Sequence, residues 1–249
     1  LSINRVRSQV PQDLDDAGQL LWLPDAAGLL HEYYTPSRLC QEVARVVQPL
    51  LAELAAEDGI VRALEPSAGI GRFPSALSGA GFERLRWTLV EYSPLSARIL
   101  AALFPAADLY APMPFERFIS EHEQEVAGSL SLVVSNPPYG ERGPSSVEDR
   151  SPRYRGEQNA YQYFLRRTAD LLRAGGLGIY LIPYGFLTGQ GRSLPRLRET
   201  VFRRHHLAAA FRLPSNLFPG GNIVTDLVFL RSRGGEIAAI LPEDRPTAA

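Results

Sequence analysis

The sequence contains no lysine, one methionine and one cysteine, Cys40, among its 249 residues. A lone cysteine excludes an internal disulfide and a zinc centre built from several cysteines. The four histidines lack the spacing with acidic residues that is typical of metal ligands, so we expect no metal. No apolar run approaches the roughly 20 residues that span a bilayer, and residues 1–12 lack the apolar core of a signal peptide. These absences favour a cytoplasmic protein with no membrane partner.

All 26 basic residues are therefore arginine, and their distribution along the chain is uneven. Residues 1–140 carry ten arginines against 17 acidic residues, whereas residues 141–212 carry 13 arginines against six acidic residues. Codon bias in a GC-rich genome explains the lack of lysine but not this clustering. Because a guanidinium group can bind phosphate with two hydrogen bonds, the basic middle of the chain favours a polyanionic partner.

Strand-like and helix-like segments alternate along most of the chain, which predicts an α/β fold with a mainly parallel sheet and helices on both faces. Residues 130–135 form an almost unbroken apolar run, as expected of a strand buried on both faces. The connection between the last two strands is too short for a crossover helix, so these strands should pair antiparallel. The predicted strands are residues 61–65, 87–91, 108–111, 130–135, 177–182, 206–212 and 223–231.

The predicted helices depend on local start and stop signals. The Thr-Pro pair at residues 35–36 is typical of a helix cap and first helical position, and Pro49 should kink the helix that follows. The Gly-Gly pair at residues 175–176 predicts the end of a helix over residues 158–173. Residues 140–157, rich in Gly, Pro, Ser and Arg, are predicted to form a mobile loop. The other predicted helices are residues 73–78, 94–104 and 194–203.

The segment EPSAGIGRF at residues 65–73 follows a predicted strand and opens a predicted helix. Its glycines, Gly69 and Gly71, let the backbone approach a ligand closely, and the amides at the helix start can bind a carboxylate. It has neither the third glycine of a dinucleotide site nor the following Lys-Ser/Thr of a phosphate loop, so both interpretations are weak. A glycine turn without any ligand is the remaining alternative.

A second motif, VEYSP at residues 90–94, places Glu91 at the end of the second predicted strand. An acid about 20 residues after a glycine turn of this kind is placed to bind the hydroxyl groups of a ribose. The alternative is an isolated surface glutamate, which its position relative to the first motif makes less attractive.

The segment SNPPYG at residues 135–140 follows the buried fourth strand and carries the most specific chemistry. The carboxamide oxygen of Asn136 and a backbone carbonyl fixed by the prolines can both accept hydrogen bonds from one NH2 group. Two acceptors expose the nitrogen lone pair, and no general base is needed because the proton can leave after the transfer. Tyr139 offers a flat face for stacking on a base. The alternative is a Pro-Pro turn without a function.

With these three motifs in this order, the sequence resembles the class I S-adenosylmethionine-dependent methyltransferases. Among them it is similar to the N6-adenine DNA methyltransferases of the restriction-modification and helicase-linked type. The segment YYTP at residues 33–36 matches a family element that packs over the methionine end of the cofactor, and segments 182–187, 212–218 and 225–230 match the family's C-terminal half. The resemblance covers roughly residues 30–232. It implies a Rossmann-like fold with a seven-stranded, mostly parallel sheet and a C-terminal antiparallel strand.

The resemblance implies S-adenosylmethionine as the cofactor and assigns roles by motif. Glu65 and the glycine turn should line its methionine part, Glu91 should hold the ribose, and Tyr92 should lie against the adenine ring. For the acid that contacts the cofactor's adenine amine, Asp108 and the pair at residues 115–116 both remain open; the pair is favoured because Asp108 should begin its strand. The predicted cofactor-binding residues are Tyr34, Thr35, Pro36, Glu65, Pro66, Ser67, Ala68, Gly69, Gly71, Arg72, Phe73, Glu91, Tyr92, Ser93, Phe115, Glu116 and Asn136. The predicted catalytic residues, which should hold the target adenine, are Asn136, Pro137, Pro138 and Tyr139.

The implied substrate is DNA with the target adenine flipped out, because a stacked and paired amine cannot enter a pocket at a strand end. The family usually carries a separate target-recognition domain, which we expect the parent protein or a partner subunit to supply. The predicted organisation is an N-terminal arm over residues 1–30, a catalytic domain over residues 31–235 and a tail over residues 236–249. The candidates for contact with the DNA backbone are Arg142, Arg153, Arg155 and Arg192.

Three alternatives remain open from the sequence. A protein methyltransferase acting on glutamine shares the Asn-Pro-Pro-Tyr logic, because a glutamine amide and an adenine amine present similar NH2 groups, but it lacks the Tyr-Thr-Pro element and these C-terminal strands. A ribosomal RNA adenine or guanine methylase is another enzyme of this kind. The third is a catalytically silent DNA-binding or assembly module, against which the intact chemical positions argue.

Overall fold

The computed structural model describes residues 34–56, 58–79, 83–191, 193–215, 224–235 and 237–245. The predicted N-terminal arm over residues 1–30 lies outside these ranges, as do residues 236 and 246–249 of the predicted tail. No helix in the described ranges is long and apolar enough to cross a membrane. The α-helices are α1 (Ser37–Val47), α2 (Leu51–Leu54), α3 (Arg72–Ser78), α4 (Pro94–Leu103), α5 (Phe115–Val126), α6 (Ala160–Ala169), α7 (Gly185–Thr188) and α8 (Ser193–Phe202). The strands are β1 (Val61–Glu65), β2 (Leu85–Val90), β3 (Asp108–Tyr110), β4 (Leu130–Ser135), β5 (Leu172–Pro183), β6 (His205–Arg212) and β7 (Thr225–Ser232).

These strands form one seven-stranded sheet in the order β3-β2-β1-β4-β5-β7-β6. Strands β1 to β5 are parallel, and β7 runs antiparallel to both of its neighbours, β5 and β6. The prediction of a mostly parallel sheet with an antiparallel C-terminal strand is therefore confirmed. The strand order reverses between β1 and β4, and ligands of open α/β sheets bind at such a switch, at the carboxyl ends of the strands.

Strand β4 lies at the centre of the sheet and is buried along its whole length. Its side chains alternate between two apolar clusters, one on each face: Leu130 and Val133 belong to one cluster, and Leu132 and Val134 to the other. Because successive side chains of a strand point to opposite faces, a strand covered by helices on both sides must be apolar at nearly every position. This explains the unbroken apolar run in the sequence.

The Gly-Gly pair at residues 175–176 lies inside β5, not at the end of a helix. Helix α6 ends earlier, at Ala169. Gly175 has φ +70°, and a Cβ at Gly176 would lie 2.9 Å from the carbonyl oxygen of Leu130. The glycines therefore accommodate the register shift between β4 and β5 at Leu130, and the sequence prediction of a helix stop was wrong.

The helix that begins at Ser37 is interrupted at Pro49 by a 3-10 turn over Gln48–Leu50, in agreement with the predicted kink. The prediction that Thr35 caps this helix was wrong, because Pro36 occupies the N-cap position and no side chain caps the helix. The hydroxyl of Thr35 instead accepts a hydrogen bond from the side chain of Asn136, at 3.2 Å. Thr35, which looks like a helix cap in the sequence, thus contacts the residue that directly follows β4.

Residues 140–157, predicted to be a mobile loop, are fastened to the rest of the fold by buried polar contacts. Asp149 accepts hydrogen bonds from Arg167 Nε at 2.9 Å and from the Tyr163 hydroxyl at 2.8 Å. Arg167 also pairs with Glu123 at 2.7 Å. Both Asp149 and Arg167 are buried. Because a buried carboxylate and a buried guanidinium each need a partner, these contacts fix the segment, and a mobile loop is the wrong description.

We predict that Asp149→Ala lowers the free energy of unfolding by about 3 kcal/mol, because it leaves Arg167 buried without the partner of its Nε. Urea unfolding followed by circular dichroism measures this loss. Glu42→Ala is the matched control, since the Arg45–Glu42 pair is exposed and should contribute below about 1 kcal/mol. Equal losses in the two variants would contradict the assigned role of Asp149.

Candidate active site

The three sequence motifs meet at the carboxyl ends of β1, β2 and β4. The amide of Ala68, in the turn after β1, donates to the carbonyl of Val90 at 2.9 Å. The hydroxyl of Ser67 in the same turn donates to the backbone carbonyl of Asn136 at 3.1 Å. Because β1 pairs with β2 on one side and with β4 on the other, these contacts join all three strand ends into one site.

Glu91 holds the glycine turn by its carboxylate. One oxygen accepts from the amide of Gly69 and the other from the amide of Ser93, both at 2.6 Å. The next side chain, Tyr92, is 73% exposed at the same edge. Gly69 has φ +56°, and a Cβ there would lie 3.3 Å from the ring of Tyr34. The positive φ and the nearby ring of Tyr34 explain the glycine at this position, and the approach of a ligand to the turn stays a prediction.

Glu65, the last residue of β1, is buried, and its Oε2 atom has no hydrogen-bond partner among the described residues. Burial, together with the nearby negative charge of Glu91, raises the pKa of Glu65 well above its ordinary value. An unsatisfied buried carboxyl costs free energy unless a ligand supplies a donor or a cation. The ammonium group of an amino acid moiety fits this requirement.

Asn136 has contacts on both ends of its carboxamide. Its Nδ2 donates to the hydroxyl of Thr35 at 3.2 Å, and its Oδ1 lies 3.2 Å from the hydroxyl of Tyr139. Of the two prolines that follow, Pro137 is buried and Pro138 is exposed. The contact from Nδ2 to Thr35 directs the carboxamide oxygen away from Thr35, so that the acceptor faces the Tyr139 side of the site.

Tyr139 points its hydroxyl into the site. The oxygen lies 3.2 Å from Asn136 Oδ1 and 3.0 Å from the carbonyl of Leu181 in β5, and its single hydrogen serves one of these acceptors at a time. Burial raises the pKa of this hydroxyl, so it remains a donor at neutral pH. The carboxamide oxygen has two lone pairs, so it can accept from an incoming NH2 group as well as from the hydroxyl of Tyr139.

The other residues predicted to bind the cofactor lie around the turn. Arg72 donates to the carbonyl of Thr35 at 3.0 Å, and the hydroxyl of Tyr34 lies 3.2 Å from that of Ser96. Three of these residues are buried: Pro66, Ala68 and Phe73. Gly71 has φ +75°, and a Cβ at this position would meet the ring of Phe104. Arg72 thus links the turn to the Tyr-Thr-Pro segment, which the sequence had connected only by resemblance.

The candidates for the third strand lie in different environments. Asp108 begins β3, as predicted, and is exposed. Phe115 and Glu116 begin α5 and are both buried. The Glu116 carboxylate accepts from Arg142 Nε and from Ser145 Oγ, each at 3.3 Å. The choice of Phe115 and Glu116 as cofactor ligands stays a prediction, and it requires Glu116 to share a carboxylate that already has two donors.

The arginines predicted to hold DNA differ in accessibility. The Arg142 side chain is only 3% exposed, pairs with Glu116 and lies 3.5 Å from the ring centre of Tyr163, and its contact with DNA stays a prediction. Arg153 pairs with Asp170 at 2.7 Å. Arg155 is exposed, and Arg192 lies outside the residues whose side chains are described.

Sequence reasoning missed the contacts that hold Asn136. Thr35 and Ser67 were assigned to the cofactor, and no pattern linked them to a residue 101 or 69 positions away. The described residues contain no group of three or more His, Cys, Asp or Glu side chains that could hold a metal ion.

The sheet order, the glycine turn after β1 and the Asn-Pro-Pro-Tyr segment after β4 together define the fold of the class I S-adenosylmethionine-dependent methyltransferases. Within that fold, residues 112–218 match the family model described as the Eco57I restriction-modification methylase. This match confirms the resemblance to methylases of the restriction-modification type.

Individual relatives include a phage protein of defence against restriction and methylase subunits of restriction systems. Defense against restriction protein B of Escherichia phage P1 is 29% identical over 217 residues, covering 86% of this chain and 9% of that protein. The type I restriction enzyme EcoEI methylase subunit of Escherichia coli is 20% identical, over 85% of this chain and 44% of that subunit. The type I restriction-modification methyltransferase subunit of Streptococcus thermophilus superposes with a TM-score of 0.62 at 14% identity, over 81% and 45% of the chains. The chain thus spans less than half the length of these relatives.

We predict that the stability of the wild-type protein falls relative to Glu65→Gln as the pH rises above 4.5, the ordinary pKa of a glutamate. The unfolded chain loses its Glu65 proton near that pH, whereas the folded protein keeps it until the pH passes the raised pKa. Below pH 4.5 the difference between the two proteins should be constant. Thermal unfolding of both proteins across pH 4 to 8 measures it. Parallel pH profiles would contradict the raised pKa.

Proposed function

We propose that this chain transfers a methyl group from S-adenosylmethionine to the N6 amine of adenine in DNA, in the cytoplasm. The observation that carries the proposal is the oriented carboxamide of Asn136, held at the same sheet edge as the glycine turn and Glu65. A hydrogen-bond acceptor beside a site for an amino acid ligand is what methyl transfer to an NH2 group requires.

The residues of the turn fit S-adenosylmethionine, which supplies an electrophilic methyl group when bound. The unsatisfied carboxyl of Glu65 suits the ammonium of the methionine part. The Glu91 carboxylate is placed for the ribose hydroxyls, although it must share its oxygens with two backbone amides. The exposed ring of Tyr92 offers a surface for the adenine ring.

Catalysis by this site rests on positioning and electrostatics. Asn136 Oδ1 and the carbonyl of Pro137 accept the two hydrogens of the amine, which directs its lone pair towards the methyl group. Proline has no N–H that could compete for these acceptors. The amine releases its extra proton after the transfer, so no titratable base is needed. Fixing both partners in reactive geometry provides the acceleration.

The target adenine reaches Asn136 only after it leaves the base stack, at a cost of a few kcal/mol. Its amine then donates to the carboxamide oxygen, whose two lone pairs can accept from the amine and from the Tyr139 hydroxyl together. The ring of Tyr139 offers a flat face for stacking on the flipped base.

DNA as the substrate is supported by the relatives, since those from Escherichia coli and Streptococcus thermophilus are methylase subunits of restriction systems. Because the chain spans only part of each relative, we propose that a target-recognition module outside residues 1–249 selects the sequence to be methylated. Adenine as the base is inferred from the Asn-Pro-Pro-Tyr segment.

We predict that the wild-type protein transfers labelled methyl groups from S-adenosylmethionine into unmethylated DNA, and that Asn136→Ala reduces the rate on the order of 100-fold while cofactor binding persists. The assay mixes protein, DNA and cell extract, then asks whether nuclease or protease releases the label. Label released by protease would assign the chain to glutamine methylation. Cofactor bound without any transfer would indicate a missing recognition partner, and neither binding nor transfer would favour a silent module.

We also predict that Thr35→Val lowers kcat about tenfold, the effect of losing roughly 1.4 kcal/mol of positioning, because the Asn136 carboxamide loses the acceptor that fixes its orientation. Thr35→Ser keeps the hydroxyl and should restore most of the rate. Steady-state kinetics separates the two roles of Thr35. A rise in KM for S-adenosylmethionine with kcat unchanged would assign Thr35 to the cofactor and not to Asn136.

A further inference from the structure

A cavity of about 420 Å³ lies within the segment between Gly140 and Ala160, outside the site described above. Its volume is within the range of cavities that bind small ligands. Three arginines are among the residues that line it, Arg142, Arg150 and Arg155. The proposed methyl transfer uses none of them.

Each acidic residue of this cavity has an arginine partner that lies outside the cavity. Asp149 accepts from Arg167 at 2.9 Å, and Glu157 pairs with Arg166. Both of these arginines belong to α6 and do not line the cavity. Neither carboxylate is therefore paired with an arginine that lines the cavity.

Of the three lining arginines, Arg142 is also balanced, by its pair with Glu116. Arg150 and Arg155 are exposed and make no ion pair or side-chain hydrogen bond with any residue in the described ranges. Two arginines without an ion-pair partner among the described residues thus line one cavity. This is the electrostatic requirement for binding an anion with several acceptor oxygens.

The walls of the cavity are held in place. The amide of Arg142 donates to the carbonyl of Gln158 at 2.8 Å, and Ala160 donates to the carbonyl of Gly140 at 2.8 Å, which closes the base of the segment. The Arg142 side chain donates to the carbonyls of Glu157 at 3.1 Å and Ser146 at 3.3 Å. A preformed site of this kind binds a ligand without first ordering a loop.

The cavity is also tied to the catalytic motif. Only Gly140 and Glu141 separate Arg142 from Tyr139, and an extended chain advances at most about 3.6 Å per residue, so their Cα atoms lie within about 11 Å. The wall of the cavity therefore begins close to the residue that would stack on a flipped adenine.

We propose that this cavity binds a phosphate group of the DNA backbone beside the flipped adenine, through Arg150 and Arg155. The inference rests on the proposed function, because it takes DNA as the substrate. Phosphate contacts of this kind are independent of sequence: they position the strand, and the base contacts give specificity.

The test compares the full chain with the double variant Arg150→Gln/Arg155→Gln by fluorescence anisotropy on a short DNA duplex with one mismatched adenine, without cofactor, at several salt concentrations. We expect weaker binding by the variant and a plot of log affinity against log salt whose slope is smaller in magnitude by about one. Arg84→Gln/Arg86→Gln is the matched control, because it removes the same charge from exposed positions at the amino end of β2, the opposite edge of the sheet. The control should bind as the wild type does.

Each outcome decides the proposal. An unchanged slope in the Arg150 and Arg155 variant, an equal loss in the control, or no duplex binding by the wild type would overturn it. Inorganic phosphate competing at the cavity without any effect of the variant on DNA binding would assign the site to a free anion. Failure of the proposed function is distinguishable, since loss of methyl transfer in the wild type with the salt-dependent binding intact would leave the phosphate site standing.

Discussion

Asn136 is held by three residues from different parts of the chain, and the candidate active site depends on this arrangement. Ser67 fixes its backbone carbonyl at 3.1 Å, Thr35 fixes its Nδ2 at 3.2 Å, and Tyr139 meets its Oδ1 at 3.2 Å. A side-chain amide held only at its Cα can rotate and present either its oxygen or its nitrogen to a substrate. Here the sheet supplies the restraint, because the pairing of Leu64 with Val133 brings the ends of β1 and β4 together.

Two carboxyl groups lie close together at this edge, and their different surroundings give them different roles. Glu91 receives two backbone amides, which stabilise its charge, whereas Glu65 is buried with Oε2 unsatisfied among the described residues. Mutual repulsion and burial both disfavour a second negative charge at Glu65. A bound ammonium group would reverse that preference, so ligand binding and the ionisation of Glu65 should be coupled.

The sequence predicted best what depends on regular patterns. Strands β1 and β4 were placed to the residue, because a strand buried on both faces leaves little choice of side chain. It failed where the decisive contact is distant. Gly175 and Gly176 look like a helix stop, yet their role comes from Leu130 on another strand. The segment around Asp149 looks mobile by composition, but its polar groups are buried against Arg167 and Tyr163. The Thr35 contact with Asn136 has no local signature at all.

Gly140 separates Tyr139 from the segment that forms the arginine-lined cavity. Gly140 has φ +100°, and a Cβ at this position would have open space around it, so backbone conformation and not packing explains the glycine. The cavity beyond Gly140 is anchored by the Arg142 side chain and by the hydrogen bonds that close the base of its segment. A phosphate bound in this cavity would hold the DNA strand near the site, which restricts the positions that the flipped adenine can take relative to Asn136.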